Sequence, residues 1–155
     1  MLKIIYPNCC SIDVHKTFVV AVISITDRQE LTTYHRKRFS TFTNGLVQLR
    51  DWLEYYSYFD VCMESTGKYW MPVFNILEKS CKICLAHPKY VKAIRGKKAD
   101  KKDAQWIADL FKHDLVASSF IPPLKIRQLR DLFRYRMKLT QLQVSEKNRY
   151  QNCLT

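Results

Sequence analysis

Along the chain the apolar positions first repeat every two residues and later every three to four. Residues 11–14 and 18–25 are rich in β-branched side chains, which suit a pleated surface, and predict two strands. Asp27-Arg28-Gln29 supplies a turn, and residues 30–39 alternate as a third strand with one solvated face. Three strands at hairpin spacing predict an antiparallel meander. After Thr43-Asn44-Gly45, the residues Leu46, Leu49, Trp52, Leu53 and Tyr56 recur at helical spacing. Residues 59–63 predict a buried strand. Trp70–Leu77 predicts a helix that admits Pro72 only in its first turn. Residues 83–86 form a fifth strand. The order β-β-β-α-β-α-β followed by helices predicts an α/β fold with a mixed five-stranded sheet flanked by helices.

The last third differs in kind. In residues 100–111, Ala104, Ile107, Leu110 and Phe111 share one helix face. Pro122-Pro123 then forces an extended connection over residues 118–124. From Lys125 on, Ile126, Leu129, Leu132, Phe133, Leu139 and Leu142 run through a segment without Pro or Gly. A long C-terminal helix of about 25 residues follows, its apolar stripe suited to pairing with a second copy.

Composition narrows the function. Of 155 residues, 47% are hydrophobic and 26% charged, which is globular and excludes a disordered chain. Three glycines and five prolines exclude collagen-like or linker sequence. The longest apolar run, residues 18–23, is too short to span a bilayer, and Pro7 and Asp13 interrupt any signal-peptide core. A cytosolic protein without a membrane partner is expected. The net charge of +12 is unevenly placed: residues 89–155 hold sixteen Lys+Arg against six Asp+Glu, a net of +10. That asymmetry predicts a polyanion partner, nucleic acid, for the C-terminal part.

Six cysteines without an export signal read as reduced, buried thiols rather than a disulfide framework. Cys81-Lys-Ile-Cys84 has metal or redox spacing, but no second such pair exists.

The carboxylates are more informative. Asp13 stands in an otherwise apolar strand, and burying a lone carboxylate demands a metal, a cation or hydrogen bonds. Glu64 ends the fourth strand beside a turn, and Asp100 and Asp103 lie three apart at a helix start. Two strand-end acids plus two from a helix are what a hard-cation site requires. Simpler roles exist for each. Asp100 and Asp103 suit an N-cap and a first-turn charge, Glu64 could pair with Lys68, and Asp13 with Lys16. His15 is a metal or acid/base candidate or a surface strand-end histidine. Tyr69 and Trp70 either stack on nucleic acid or, for Trp70, pack in the core.

Several long motifs occur in order: Ser-Ile-Asp-Val-His-Lys (11–16), Met-Glu-Ser-Thr-Gly-Lys-Tyr-Trp-Met-Pro (63–72) and His-Pro-Lys-Tyr-Val-Lys (87–92). They continue as Gly-Lys-Lys-Ala-Asp-Lys-Lys-Asp-Ala-Gln-Trp-Ile-Ala-Asp-Leu (96–110), Ser-Phe-Ile-Pro-Pro (119–123) and Ile-Arg-Gln-Leu-Arg-Asp-Leu-Phe-Arg-Tyr-Arg (126–136). Over nearly its whole length the chain resembles the N-terminal RuvC-like catalytic domain of the DEDD-type insertion-sequence transposases. That family also contains the pilin-gene invertase and the bridge-RNA-guided recombinases. Ser11 and Ala99 stand where many relatives have Gly and Thr, and neither change removes a carboxylate.

The resemblance implies a ribonuclease-H-like fold and four acids at Asp13, Glu64, Asp100 and Asp103, which would hold two Mg2+ (or Mn2+) ions. The implied activity is metal-dependent phosphoryl transfer on DNA, cleavage and strand transfer of an insertion sequence, guided by a structured RNA in the full-length protein. A RuvC-like structure-specific nuclease, or a basic binding module without catalysis, are the alternatives. Nucleic-acid contacts are expected from Lys16, Lys68, Arg95, Lys97, Lys98, Lys101, Lys102, Arg127, Arg130 and Arg134, with Arg136 facing nucleic acid or solvent. The expected organisation is a catalytic domain over 1–115 and a connection with a long basic helix over 116–155. The resemblance puts a serine-bearing second domain beyond Thr155, so full recombination by these residues alone is not expected. Homo-oligomers through residues 125–152 are expected, in a prokaryotic cytoplasm beside the nucleoid.

Overall fold

The computed structural model describes residues 3–57, 60–65, 67–87 and 103–154, with Asp103 as backbone only. They divide into two compact units, Met1–Ser119 and Phe120–Thr155. The first contains strands β1 (Asn8–Val14), β2 (Phe18–Thr26) and β3 (Thr32–Ser40), then helix α1 (Thr43–Tyr55), β4 (Asp60–Glu64), α2 (Trp70–Leu77), β5 (Lys82–Ala86) and α3 (Asp103–Lys112). The second contains α4 (Leu124–Leu154).

The strands form one five-stranded sheet in the order β3-β2-β1-β4-β5. β1 to β3 make the antiparallel meander, with Asp13 opposite Val20 and Val20 opposite Arg38. β4 lies parallel to β1, with Cys10 beside Val61 and Ile12 beside Met63, and β5 lies parallel to β4. This is the mixed ribonuclease-H-like sheet that the resemblance implies. β1 and β4 are apolar on both sides because they are central and covered on both faces, as parallel pairing through helical crossovers requires.

Side-chain alternation divides the sheet into two faces. One carries Phe39, whose ring meets Trp52 of α1 at 5.5 Å. Leu46, Leu49 and Leu53 of α1 are buried at helical spacing. Gly45 makes that close approach possible, since a Cβ there would lie 2.4 Å from the Ser40 carbonyl oxygen. The other face takes α3. Cys9, Cys62 and Ala86 pack there with Ile107, Leu110 and Phe111, and Val20 and Val22 with Ala104. The apolar face predicted for this helix is therefore the face it buries.

α4 follows Pro122-Pro123 directly and is longer than expected, 31 residues, or about 46 Å. None of its residues is buried within the chain. Among the described residues no helix is long and apolar enough to cross a membrane. The cysteines are free: Cys9, Cys10, Cys62 and Cys81 are buried, Cys84 is half-buried and Cys153 is exposed. Burial thus holds for four of the six, and Cys153 departs from it because α4 buries nothing.

Candidate active site

The carboxylates occupy the ends of adjacent parallel strands. The register ends at Ile12 beside Met63, so Asp13 and Glu64 are the next residues of the two adjacent strands and, by alternation from Ser11 and Cys62, fall on the same face. In open α/β sheets the carboxyl ends of the strands are where ligands bind. Both side chains sit half-buried at that edge. The loop after β4 is fixed by Ser65 N–H donating to the Ala86 carbonyl at 2.9 Å, and turns at Gly67, whose φ of +58° is in the left-handed region.

β1 also fixes where α3 begins. Cys9, Ser11 and Asp13 alternate onto the α3 face. The Cys9 thiol points to the Ala108 carbonyl, and the buried Ser11 hydroxyl donates to the Ala104 carbonyl. Two strand residues advance about 6.6 Å while four helical residues advance about 6 Å in the opposite sense. α3 therefore runs antiparallel to β1, and its N-terminal residue, Asp103, is delivered toward the end of β1 that carries Asp13. The Asp103 side chain lies outside the described atoms, and Asp100, Arg95, Lys97, Lys98, Lys101 and Lys102 lie outside the described residues.

Asp13 takes as its partner His15, whose Nε2 lies 3.0 Å from Oδ2. The imidazole in turn lies against the Phe18 ring, centroids 4.3 Å apart. His15 is thus a neighbour of the acid and not merely a surface residue, a contact that closes only because the β1–β2 turn is tight. That turn is braced from β3: Thr41 donates through N–H to the Thr17 carbonyl at 3.2 Å and through its hydroxyl to the Lys16 carbonyl at 3.0 Å. Lys16 and Lys68 are both exposed, on the turns that follow the two acid-bearing strands. Tyr69 is 45% exposed beside Lys68. Trp70 is half-buried, edge-on to Phe74 at 5.8 Å, so its ring serves packing. Within the second unit, Arg127 donates to the Pro122 carbonyl at 3.1 Å, and Arg134 lies 3.6 Å from Asp131.

Four of the six cysteines, Cys9, Cys10, Cys62 and Cys81, belong to the core. Cys62 and Cys84 are side-by-side neighbours on β4 and β5, and the hydrogen bond from Cys62 to Cys84 holds the Cys62 thiol well above its usual range, with burial adding to the effect. Burial, the largest cause at each, pushes Cys9 up to about 12 and Cys81 up to about 11. High pKa values at Cys9, Cys62 and Cys81 oppose thiolate formation there, whereas the hydrogen bond from Cys62 lowers Cys84. A cavity of about 310 Å³ lined by Tyr6, Asp60, Lys82, Cys84 and Phe111 lies where β4 and β5 begin, at the opposite end of the strands from Glu64.

Among the described residues no three His, Cys, Asp or Glu side chains gather as a complete metal cage. Asp13 and Glu64 nevertheless suit a hard cation, because both donors are carboxylates and magnesium takes few protein oxygens and keeps waters or substrate phosphates. The sequence pattern does not single out Arg38, which the sheet puts on the face of Asp13. The run His35-Arg36-Lys37-Arg38 reads as a solvated strand face, and only alternation across the sheet separates its cations.

By fold comparison the chain is similar to the Fowlpox virus resolvase solved with Holliday junction DNA, at 15% identity and a TM-score of 0.41, covering 67% of this chain and 72% of that one. It is similar to Thermus thermophilus RuvC at 12% identity and a TM-score of 0.46, covering 74% and 84% respectively. It is also similar to the Ppx/GppA family member of Aquifex aeolicus, at 11% identity and a TM-score of 0.39 over 54% of this chain and 36% of that one. No curated protein matches the sequence. Residues 10–155 match the family model of the IS110-type DEDD transposases, described as Transposase, and the chain belongs to that family.

Proposed function

We propose that these residues form the catalytic domain of a DNA transposase that performs magnesium-dependent phosphoryl transfer. The observation that supports the reading is that β1 and β4 are adjacent parallel strands and carry Asp13 and Glu64 at their carboxyl ends, with α3 antiparallel to β1. Asp13 and Glu64 would hold the ions from the sheet, and Asp100 and Asp103, three apart in sequence, would complete the set. When bound, two such ions activate an attacking oxygen and stabilise a leaving one. The chain's own residues prepare that site. His15 orients the Asp13 carboxylate, and Lys16 and Lys68 offset the negative charge that would otherwise repel a phosphodiester. Lys97, Lys98, Lys101 and Lys102 extend this balance in sequence, and Arg127, Arg130 and Arg134 supply a second basic element.

Guidance by a structured RNA, and attack by a serine from a further domain, belong to the same proposal through the family resemblance. A structure-specific nuclease would use the same carboxylates.

The test is Mn2+ binding followed by paramagnetic relaxation, with binding of branched DNA measured alongside, for wild type and Glu64→Gln. The variant should bind Mn2+ about tenfold or more weakly while still binding DNA, as loss of a carboxylate ligand predicts. Equal Mn2+ binding in both proteins would leave a nucleic-acid-binding module whose acids are structural.

A further inference from the structure

The sheet carries one cation on the same face and level as the two carboxylates. Pairing runs from Arg38 to Val20 and from Val20 to Asp13, and Glu64 follows the last β1–β4 pair, Ile12 beside Met63, on the same face. Arg38 is two strands from Asp13, about 10 Å between backbones. Alternation separates it from Lys37, whose ammonium lies 5.2 Å from the Phe39 ring on the α1 face. Arg38 is exposed, yet it is not a loose surface side chain: its guanidinium carbon sits 3.7 Å from the centroid of Phe18. Phe18 is the residue whose other contact is His15, the partner of Asp13. An aromatic ring under an arginine restricts its rotamers and leaves its N–H groups pointing outward.

We infer that Arg38, seated on Phe18, is a phosphate clamp that holds the DNA backbone one short step along the strand from the phosphodiester at Asp13 and Glu64. This rests on the DNA reading proposed above and deepens it. Three features support a backbone contact. A phosphodiester approaching two acids needs a nearby cation on the same face. β3 is an edge strand: among the described residues no strand pairs with its outer side. Lys16 stands on the turn adjoining Phe18, and Thr41 pins that turn to the end of β3, so the two cations are borne by one braced unit. Arginine at such a site binds phosphate through a forked, bidentate geometry that lysine does not reproduce.

The experiment measures affinity for a fluorescent four-way DNA junction across a salt series, with the full chain. Arg38→Gln should bind roughly tenfold more weakly on any sequence and lower the salt slope by about one. Arg38→Lys should recover the salt slope and only part of the affinity. Phe18→Leu should weaken binding severalfold, and the double variant should be no weaker than Arg38→Gln alone, because the ring acts only through the arginine. Lys79→Gln, in the turn before β5, is the control and should match wild type. The clamp is overturned if Arg38→Gln behaves like Lys79→Gln while wild type binds the junction. An additive Phe18→Leu effect would overturn the seating role. Wild type that does not bind DNA at all would overturn the DNA reading itself, and the clamp with it.

Discussion

Two buried serines on the α3 face of the sheet show how a single hydroxyl can help or harm. Ser11 donates to the Ala104 carbonyl and ties β1 to the first turn of α3, where the helix needs help to meet the carboxylate end. Ser24 of β2 is also fully buried, but its hydroxyl has no hydrogen-bond partner. Removing a satisfied hydroxyl forfeits its hydrogen bond, whereas removing an unsatisfied one relieves a desolvation cost. Ser11→Ala should therefore lose about 1–2 kcal/mol in urea unfolding, and Ser24→Ala should be neutral or gain about 1 kcal/mol. Equal losses for both would show that packing, not hydrogen bonding, dominates at these positions.

At the scale of elements, β1 and β4 carry thiols into the driest part of the sheet. Burial raises Cys9 to about 12 and holds Cys10 well above the usual 9, and the bond to Cys84 together with burial raises Cys62. These thiols stay protonated in the fold at pH values where the unfolded chain ionises. Their stabilisation is whole below pH 9 and is lost as pH rises from 9 toward 12. Tyr34, raised to about 12 by burial and by its hydrogen bond to Asp109, acts in the same direction above pH 10. The urea midpoint should fall steadily from pH 9 to 11, and Cys9→Ala should flatten that fall while lowering stability at pH 7. A midpoint constant across this range would show that the thiols ionise as freely in the fold as outside it.

For the whole molecule the open question is what α4 meets. Arg127, Arg130, Arg134 and Lys138 recur along one side of the helix, and Leu132, Tyr135, Leu139 and Leu142 along the other. The apolar residues are about half exposed or more, for example Leu132 at 66% and Leu142 at 53%. Such a stripe on a helix that buries nothing within its own chain favours association through it. We expect light scattering to give a dimer or larger species, and Leu132→Lys with Leu139→Lys to give a monomer with unchanged helicity. A monomeric wild type at micromolar concentration would assign that stripe to another partner.

How much of this was legible beforehand depends on the range of the interaction involved. Strand and helix identity follow from local period, so β2, β3, α1, α2 and the buried face of α3 are readable residue by residue. So are the acids at the ends of β1 and β4, because an apolar strand closing on a carboxylate is a local pattern. The charge excess after residue 88 is likewise a property of composition alone. What only the tertiary structure decided is which of these meet. Parallel pairing of β1 with β4 joins residues some fifty positions apart and makes Asp13 and Glu64 neighbours, and no local period encodes that register. The antiparallel run of α3 over β1 comes from Ser11 and Cys9 meeting carbonyls more than ninety positions away. The place of Arg38 is the sharpest instance. In sequence it is one of four consecutive basic or imidazole residues, but pleating sends it to the carboxylate face and Lys37 to the other. Side-chain direction in a strand is set by backbone geometry, while the identity of each face is set by what the sheet packs against, and that is a property of the folded whole.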